Sequence, residues 1–144
     1  GSTARPDTPE QIRLRSDALA LFAQGRLREV LQANLFFAFD PAHARALAPD
    51  YLAMVERAGA AQLMAQNRAV MARADQRPLL PTIACPTLVV VGRSDALTPP
   101  AHAQEMAAAI PGAHLEVLDE CGHMLTWEQP RRVNELLLDW LAGL

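Results

Sequence analysis

Up to about residue 80, apolar residues recur every three or four positions, and no segment alternates for long enough to form a strand. The pattern predicts an all-helical first half. The segment Thr8–Gln11 predicts the first helix start, because it combines a capping box with a proline at the first helical position. Gly25 is expected to end that helix. A second helix is predicted over roughly 26–37, a short third from Pro41 and a longer fourth from Pro49.

The pattern changes at Pro86. A continuous β-branched and apolar run over 87–91, ended by Gly92, predicts a strand covered on both faces. A helix over about 99–110, a strand over 114–118 and a last helix from Pro130 complete a β-α-β-α unit. Two parallel strands cannot bury both of their own faces. We therefore expect this unit to be the trailing part of a larger doubly wound sheet.

Composition narrows the class of protein. The chain has 144 residues, 51% hydrophobic and 20% charged, as expected for one globular domain. All 13 basic residues are arginine and the net charge is −3, so nucleic acid is not an expected partner. No apolar run approaches the roughly 18 residues that span a bilayer, and Gly1-Ser2 resembles a remnant of tag removal rather than a signal. We expect a cytoplasmic protein with Cys85 and Cys121 as free, buried thiols.

Candidate chemistry lies in two loops. Functional residues of open parallel sheets occur at the carboxyl ends of strands, and here those loops are 92–95 and 120–123. They bring Asp95 and His123 side by side, a pairing in which a carboxylate orients an imidazole. Two plainer interpretations stay open: Asp95 as a cap for the following helix, and His123 as an ordinary histidine beside Trp127.

The segment 86–99, together with Cys121-Gly122-His123 and Glu128-Gln129-Pro130, resembles the C-terminal part of α/β-hydrolases. The resemblance implies an α/β fold class: a helical cap segment over 6–80, followed over 81–144 by the β-α-β-α part of the hydrolase sheet. It also implies that Asp95 is the acid and His123 the base of a catalytic triad. A serine hydrolase of small ester or acyl compounds is expected, without a cofactor.

The chain departs from the family pattern at the nucleophile. It contains neither a G-x-S-x-G elbow nor an H-G type oxyanion loop. Ser94 imitates an elbow, but the predicted helix starts too late, near Thr98, and a nucleophilic Ser94 would leave Asp95 without a role. Cys121 precedes the histidine by two positions on the same tight loop. We therefore expect the nucleophile in a missing N-terminal half, and no activity from this chain alone.

Other candidates carry less information. His114-Leu115-Glu116 resembles the H-x-E of zinc deaminases, but no P-C-x-x-C follows, so no metal site is expected. Phe36, Met64 and Trp127 are expected to line the substrate pocket, because core and pocket share walls in a cap.

Two functions of different classes remain. In the first, the chain is the C-terminal part of a hydrolase, whose partners are an ester-like small molecule and the N-terminal half. In the second, it is a non-catalytic helical interaction module derived from a hydrolase. In both, we expect a homo-oligomer, because the strand over 87–91 would otherwise leave an apolar edge unpaired.

Overall fold

A computed structural model describes all residues 1–144, with a helical half followed by a β-α-β-α unit. A 3-10 helix, Arg77–Thr82, joins the two halves. The elements are α1 (Pro9–Ala23), α2 (Leu27–Ala38), α3 (Pro41–Met71), β1 (Leu88–Gly92), α4 (Pro100–Ala109), β2 (His114–Leu118), α5 (Leu125–Glu128) and α6 (Pro130–Ala142). The succession of helices and strands agrees with the sequence prediction except that α3 is one element where two helices were predicted, and that the 3-10 helix and α5 were not predicted.

The start of α1 follows from local chemistry. The Thr8 hydroxyl accepts from the Gln11 amide at 3.2 Å, and the Gln11 side chain accepts from the Thr8 amide at 2.8 Å. The predicted capping box is therefore present, and it satisfies two donors that a helix start leaves free. Gly25, at φ +77°, follows the end of the helix in the left-handed region, which glycine adopts without a steric cost.

The prediction of separate third and fourth helices divided at Pro49 is wrong. Pro49 lies inside α3, on its exposed side, so the carbonyl of Arg45 that loses its helical partner can bind water instead. The break comes ten residues later, at Gly59, where φ is 81° and ψ is 163°. That conformation interrupts the helix and divides it into a first stretch over 41–58 and a second over 60–71.

The two strands pair in parallel, with Leu88 opposite His114 and Gly92 opposite Leu118. Helices cover both faces. Val89 and Val91 pack with Ala103 of α4. The opposite face packs against α6, in a cluster of Leu118, Cys121, Val133 and Leu136. The predicted covering of β1 on both faces is confirmed, although no second strand pairs with its other edge.

The loop over 121–123 passes between the end of β1 and the α2–α3 junction, which we define as residues 38–40. A Cβ at Gly92 would collide with the carbonyls of Cys121 and Gly122. On the other side, a Cβ at Gly122 would lie 2.6 Å from the Asp40 nitrogen. The loop therefore fits between the two segments only because Gly92 and Gly122 have no side chain.

Three further features concern the surface. Both cysteines are free, but only Cys121 is buried. Cys85 is exposed, because it precedes β1 in a turn rather than lying within the sheet. The prediction of a buried Cys85 is thus wrong.

No helix combines the length and the apolar character needed to cross a membrane. Large apolar side chains stand exposed at the end of the chain, at Leu137, Leu138, Leu141 and Leu144.

We expect Gly122→Ala to lower the free energy of unfolding by about 1–3 kcal/mol, because the added methyl has no space beside the α2–α3 junction. Gly143→Ala is the matched control, since the nearest atom to its Cβ would lie 3.5 Å away. The control should stay within about 0.5 kcal/mol of the unaltered chain. Urea unfolding of the three proteins measures both effects, and equal midpoints for the two variants would contradict the packing argument.

Candidate active site

Asp95 lies in the turn that follows β1, and only 3% of the residue is exposed. One carboxylate oxygen accepts from the backbone amides of Leu97, at 3.0 Å, and Thr98, at 2.8 Å. The other accepts from the Thr98 hydroxyl at 2.9 Å. Because these donors belong to the turn and α4 begins only at Pro100, Asp95 stabilises its own turn rather than capping that helix.

His123 completes the set of donors around this carboxylate. Its Nδ1 lies 2.9 Å from one oxygen of Asp95 and 3.1 Å from the other. Burial acts to raise the pKa of Asp95, but the hydrogen bonds from His123 and Thr98 outweigh it and lower that pKa below its usual value. The Nε2 atom makes no hydrogen bond within the chain, and the imidazole is 26% exposed. One nitrogen is thus held by an ionised carboxylate while the other stays available.

The first residue of the chain packs against the same pair. The Gly1 amine lies 4.0 Å from a carboxylate oxygen of Asp95 and donates to the carbonyl of His123 at 3.5 Å. Burial lowers the pKa of this amine below its usual value, although the charge of Asp95 acts in the opposite direction. The first residue therefore lies against both the carboxylate and the loop of the candidate site.

Neither nucleophile candidate within the chain has suitable geometry. The Ser94 hydroxyl interacts with Asp40, where it lowers the pKa of that carboxyl, and makes no hydrogen bond to His123. The Cys121 thiol is fully buried, and burial together with the charge of Glu128 raises its pKa to about 12. A thiol that stays protonated at neutral pH and is closed to solvent is a poor nucleophile.

With the geometry established, comparison with known proteins identifies the family. A model described as "Alpha/beta hydrolase family" matches residues 3–136. The chain belongs to the alpha/beta hydrolase family. Asp95 and His123 follow the carboxyl ends of two parallel strands, the edge at which open α/β sheets generally carry their functional residues.

One similar protein is a 2-hydroxy-6-oxononadienedioate/2-hydroxy-6-oxononatrienedioate hydrolase of Pseudomonas sp, to which this alpha/beta hydrolase chain is 39% identical over 70 residues. The aligned residues make up 49% of the chain and 25% of that protein. It is 36% identical over 81 residues to a 2-hydroxy-6-oxo-6-phenylhexa-2,4-dienoate hydrolase of Delftia acidovorans, covering 56% of the chain and 28% of the relative. The matched part thus spans about a quarter of these curated relatives.

Solved structures match over nearly the whole chain. A thermophilic esterase from Thermogutta terrifontis superposes with a TM-score of 0.85 at 28% identity, covering 97% of this chain and 53% of the esterase. The enol-lactonase from Burkholderia xenovorans LB400 gives a TM-score of 0.81 at 26% identity, covering 97% of this chain and 53% of the lactonase. The alpha/beta hydrolase chain therefore corresponds to about half the length of these enzymes.

The three residues expected to line a substrate pocket lie apart in this alpha/beta hydrolase chain. Phe36 is 77% exposed beside a groove of about 320 Å³ between the end of α2 and the start of α3. Trp127 packs edge-on against Tyr51, with ring centroids 6.4 Å apart, and Met64 is half-buried on α3. Neither Met64 nor Trp127 lines that groove. Their contact with substrate stays a prediction.

The H-x-E segment that begins at His114 lies away from the Asp95–His123 pair, at the opposite ends of the two strands. His114 opens β2, as predicted, and is exposed. With Glu116 it borders a cleft of about 790 Å³ between the amino ends of the strands and the end of α6. No group of three or more histidine, cysteine or acidic side chains lies close enough together to hold a metal ion.

Two contributors to the site escaped the sequence analysis. Thr98 binds the Asp95 carboxylate through both its amide and its hydroxyl, and the hydroxyl lies 3.3 Å from His123 Nδ1. The three-residue spacing from Asp95 to Thr98 could have indicated this contact. Asp side chains in turns often accept hydrogen bonds from backbone amides two or three residues later in the chain. The other is Glu128, whose buried carboxylate contacts the histidine loop. Nothing in its spacing marks it as buried.

We expect Asp95→Asn to lower the free energy of unfolding by about 1–3 kcal/mol at neutral pH, because a neutral amide binds these donors less strongly than a carboxylate. The pKa of Asp95 is lower in the folded chain than in the unfolded one. Its stabilising contribution is therefore complete above about pH 4 and is lost as the pH falls through the folded-state value.

The difference between the unaltered chain and Asp95→Asn should accordingly shrink below about pH 4. Urea unfolding at several pH values measures it, with Asp139→Asn, a change of an exposed acid on α6, as the control. A difference that stays constant down to about pH 3 would mean that Asp95 is not stabilised as an anion.

Proposed function

We propose that Asp95 and His123 are the acid and base of a hydrolytic triad acting on small carbonyl compounds such as esters. The observation that carries the proposal is the 2.9 Å contact between His123 Nδ1 and the buried Asp95 carboxylate, which leaves Nε2 without a partner in the chain. Bound in this way, the imidazole is fixed in the tautomer whose Nε2 is a proton acceptor.

The proposed reaction follows from that arrangement. Nε2 takes the proton of a serine hydroxyl as its oxygen attacks the substrate carbonyl, and the Asp95 carboxylate stabilises the imidazolium that forms. The imidazolium then donates this proton to the leaving group as the carbonyl–leaving-group bond breaks. Water, deprotonated by the same nitrogen, hydrolyses the acyl-enzyme and regenerates the serine.

We place the nucleophile and the oxyanion hole outside these 144 residues. The chain holds three serines, Ser2, Ser16 and Ser94, and none lies in a G-x-S-x-G segment. The match to about half the length of the esterase and the lactonase supports the same division. By itself, the chain is then expected to be inactive.

The names of similar proteins guide the choice of substrate. Two solved structures are an esterase and an enol-lactonase, whereas the curated relatives are hydrolases of 2-hydroxy-6-oxo dienoates. A short-chain ester represents the first class, and a 2-hydroxy-6-oxo dienoate represents the second. Testing both substrates separates ester hydrolysis from the reaction of the curated relatives.

The experiment that tests the proposal joins the chain, at Gly1, to the N-terminal part of the Thermogutta terrifontis esterase that this chain does not cover. It measures kcat/KM on both substrates. We expect the 144-residue chain alone to be inactive and the joined protein to be active. His123→Ala should lower kcat/KM of the joined protein by about 10³-fold or more, because it removes the general base. His102→Ala, a change on α4, is the matched control.

Turnover by the joined protein that survives His123→Ala would contradict the assignment of the base. Turnover by the 144-residue chain alone that disappears in His123→Ala would instead overturn the placement of the nucleophile outside the chain. Ser94→Ala and Cys121→Ala would then identify which side chain attacks.

We also propose that the isolated chain self-associates, as both hypotheses for its function expect. The exposed leucines at positions 137, 138, 141 and 144 support it, because they form one continuous stripe along α6 and the residues beyond it. The unpaired edge of β1 offers a second surface of the kind that pairs with another chain.

Light scattering at increasing concentration tests self-association. We expect the average mass to rise above that of a monomer of 15.7 kDa. Leu138→Gln/Leu141→Gln should reduce the association, since it places polar groups in the apolar stripe. Glu135→Gln, on the polar side of α6, should not change it. A monodisperse monomer at high concentration would contradict the proposal.

A further inference from the structure

We infer that Glu128 is a positioning residue that binds the loop of His123 to the helical half of the chain and thereby fixes the imidazole against Asp95. The inference deepens the proposed function, on which the role of His123 as a base rests. The contacts themselves do not depend on that function, and neither does the test below.

The Glu128 carboxylate reaches both neighbours of His123. Both of its oxygens lie 3.0 Å from the amide nitrogen of Gly122, and Oε1 also accepts from the amide of Met124 at 3.2 Å. His123 is thus flanked on each side by a backbone donor bound to one carboxylate. The loop cannot turn or shift without breaking at least one of these hydrogen bonds.

The same carboxylate also binds the helical half. Oε2 accepts from the Asp40 amide at 2.7 Å, the shortest of its contacts. Asp40 in turn caps α3, since its side chain accepts from the Ala42 amide at 2.9 Å. Glu128 therefore joins the histidine loop to the residue at which the longest helix begins.

Burial makes the hydrogen bonds of the Glu128 carboxylate important for stability. Glu128 is 8% exposed, and none of the ion pairs of the chain involves it. A carboxylate removed from water without compensating donors is strongly destabilised. Here three backbone amides take the place of water, so the charge is accommodated only while Gly122, Met124 and Asp40 keep their positions.

Two further contacts connect the same pieces of chain. The Ala38 carbonyl, at the end of α2, accepts from the amides of His123, at 3.1 Å, and Met124, at 3.2 Å. The His43 ring of α3 lies 3.1 Å from the carbonyl of Glu120 through Nε2. The α2–α3 junction and the loop over 120–124 thus form one hydrogen-bonded unit. Two buried carboxylates lie in or beside this unit, Asp40 and Glu128, and Glu128 is the one that binds both pieces of chain.

Glu128→Gln separates a positioning role from the mere filling of space. Glutamine keeps the size and polarity of the side chain but has one acceptor oxygen in place of two. Its amide nitrogen must therefore face either the Asp40 amide or the amides beside His123, a donor against a donor. Glu135→Gln on α6 removes the same charge at an exposed position and is the matched control.

The experiment uses the 144-residue chain and two NMR measurements. In Glu128→Gln, hydrogen exchange should accelerate by about tenfold or more at one or more of the amides of Gly122, Met124 and Asp40. The reason is that these amides lose hydrogen bonds to a charged group. The carboxyl carbon of Asp95 should also titrate at a higher pH, because a displaced His123 no longer lowers the pKa of Asp95.

Both changes together, with neither present in Glu135→Gln, would support the inference. Faster exchange with an unchanged Asp95 titration would overturn it, because Glu128 would then support the loop without positioning the imidazole. Unchanged exchange would overturn it as well. None of these outcomes depends on hydrolysis, so they are distinct from failure of the joined enzyme.

A measurement on the unaltered chain decides the contacts without relying on the folding of a variant. Amide protons bound to a carboxylate change their chemical shift when that carboxylate is protonated. The amide protons of Gly122 and Met124 should therefore show a shift that coincides with that of the side-chain carbon of Glu128 as the pH is lowered. The absence of this shared shift from either amide would overturn the inference.

Discussion

The structure depends on the requirement that a buried charge be surrounded by donors. Two carboxylates meet this requirement, and both contact the loop that carries His123. Asp95 collects the Leu97 and Thr98 amides, a hydroxyl and the imidazole of His123, while Glu128 collects backbone amides on both sides of that histidine. Both sets of donors include groups of the loop over 120–124, so the position of this loop and the stabilisation of both carboxylates are linked.

Sequence patterns predicted the parts of the fold that local chemistry determines. The capping box at Thr8 and the β-branched run ending at Gly92 specify their own conformations, and the structure has both within a residue or so of the predicted positions. The break in α3 was misplaced, because a proline on the exposed face of a helix is tolerated whereas a glycine at positive φ is not helical. Which of the two ends a helix depends on burial, which a single sequence does not report.

The residues of the candidate site also fall into two groups, those that the sequence predicted and those that it did not. Asp95 and His123 were found because loops at the carboxyl ends of neighbouring parallel strands must meet. Thr98 and Glu128 were missed because their roles depend on contacts made after folding, and the partners of Glu128 lie as far away as Asp40. The pairing of groups distant along the chain follows from packing. Periodicity and motif spacing do not encode it.

The break at Gly59 gives α3 two mechanically separate parts. The first part begins at Pro41, directly after its N-cap Asp40. The Asp40 amide binds Glu128, and His43 of this part contacts the carbonyl of Glu120. The second carries Asn67, which accepts from Arg15 of α1 at 3.1 Å. Because the helical hydrogen bonds are interrupted between them, a tilt of the second part need not displace the first. Displacements of the second part, and of α1 that is bonded to it, are therefore not transmitted along the helix backbone to the loop that holds His123.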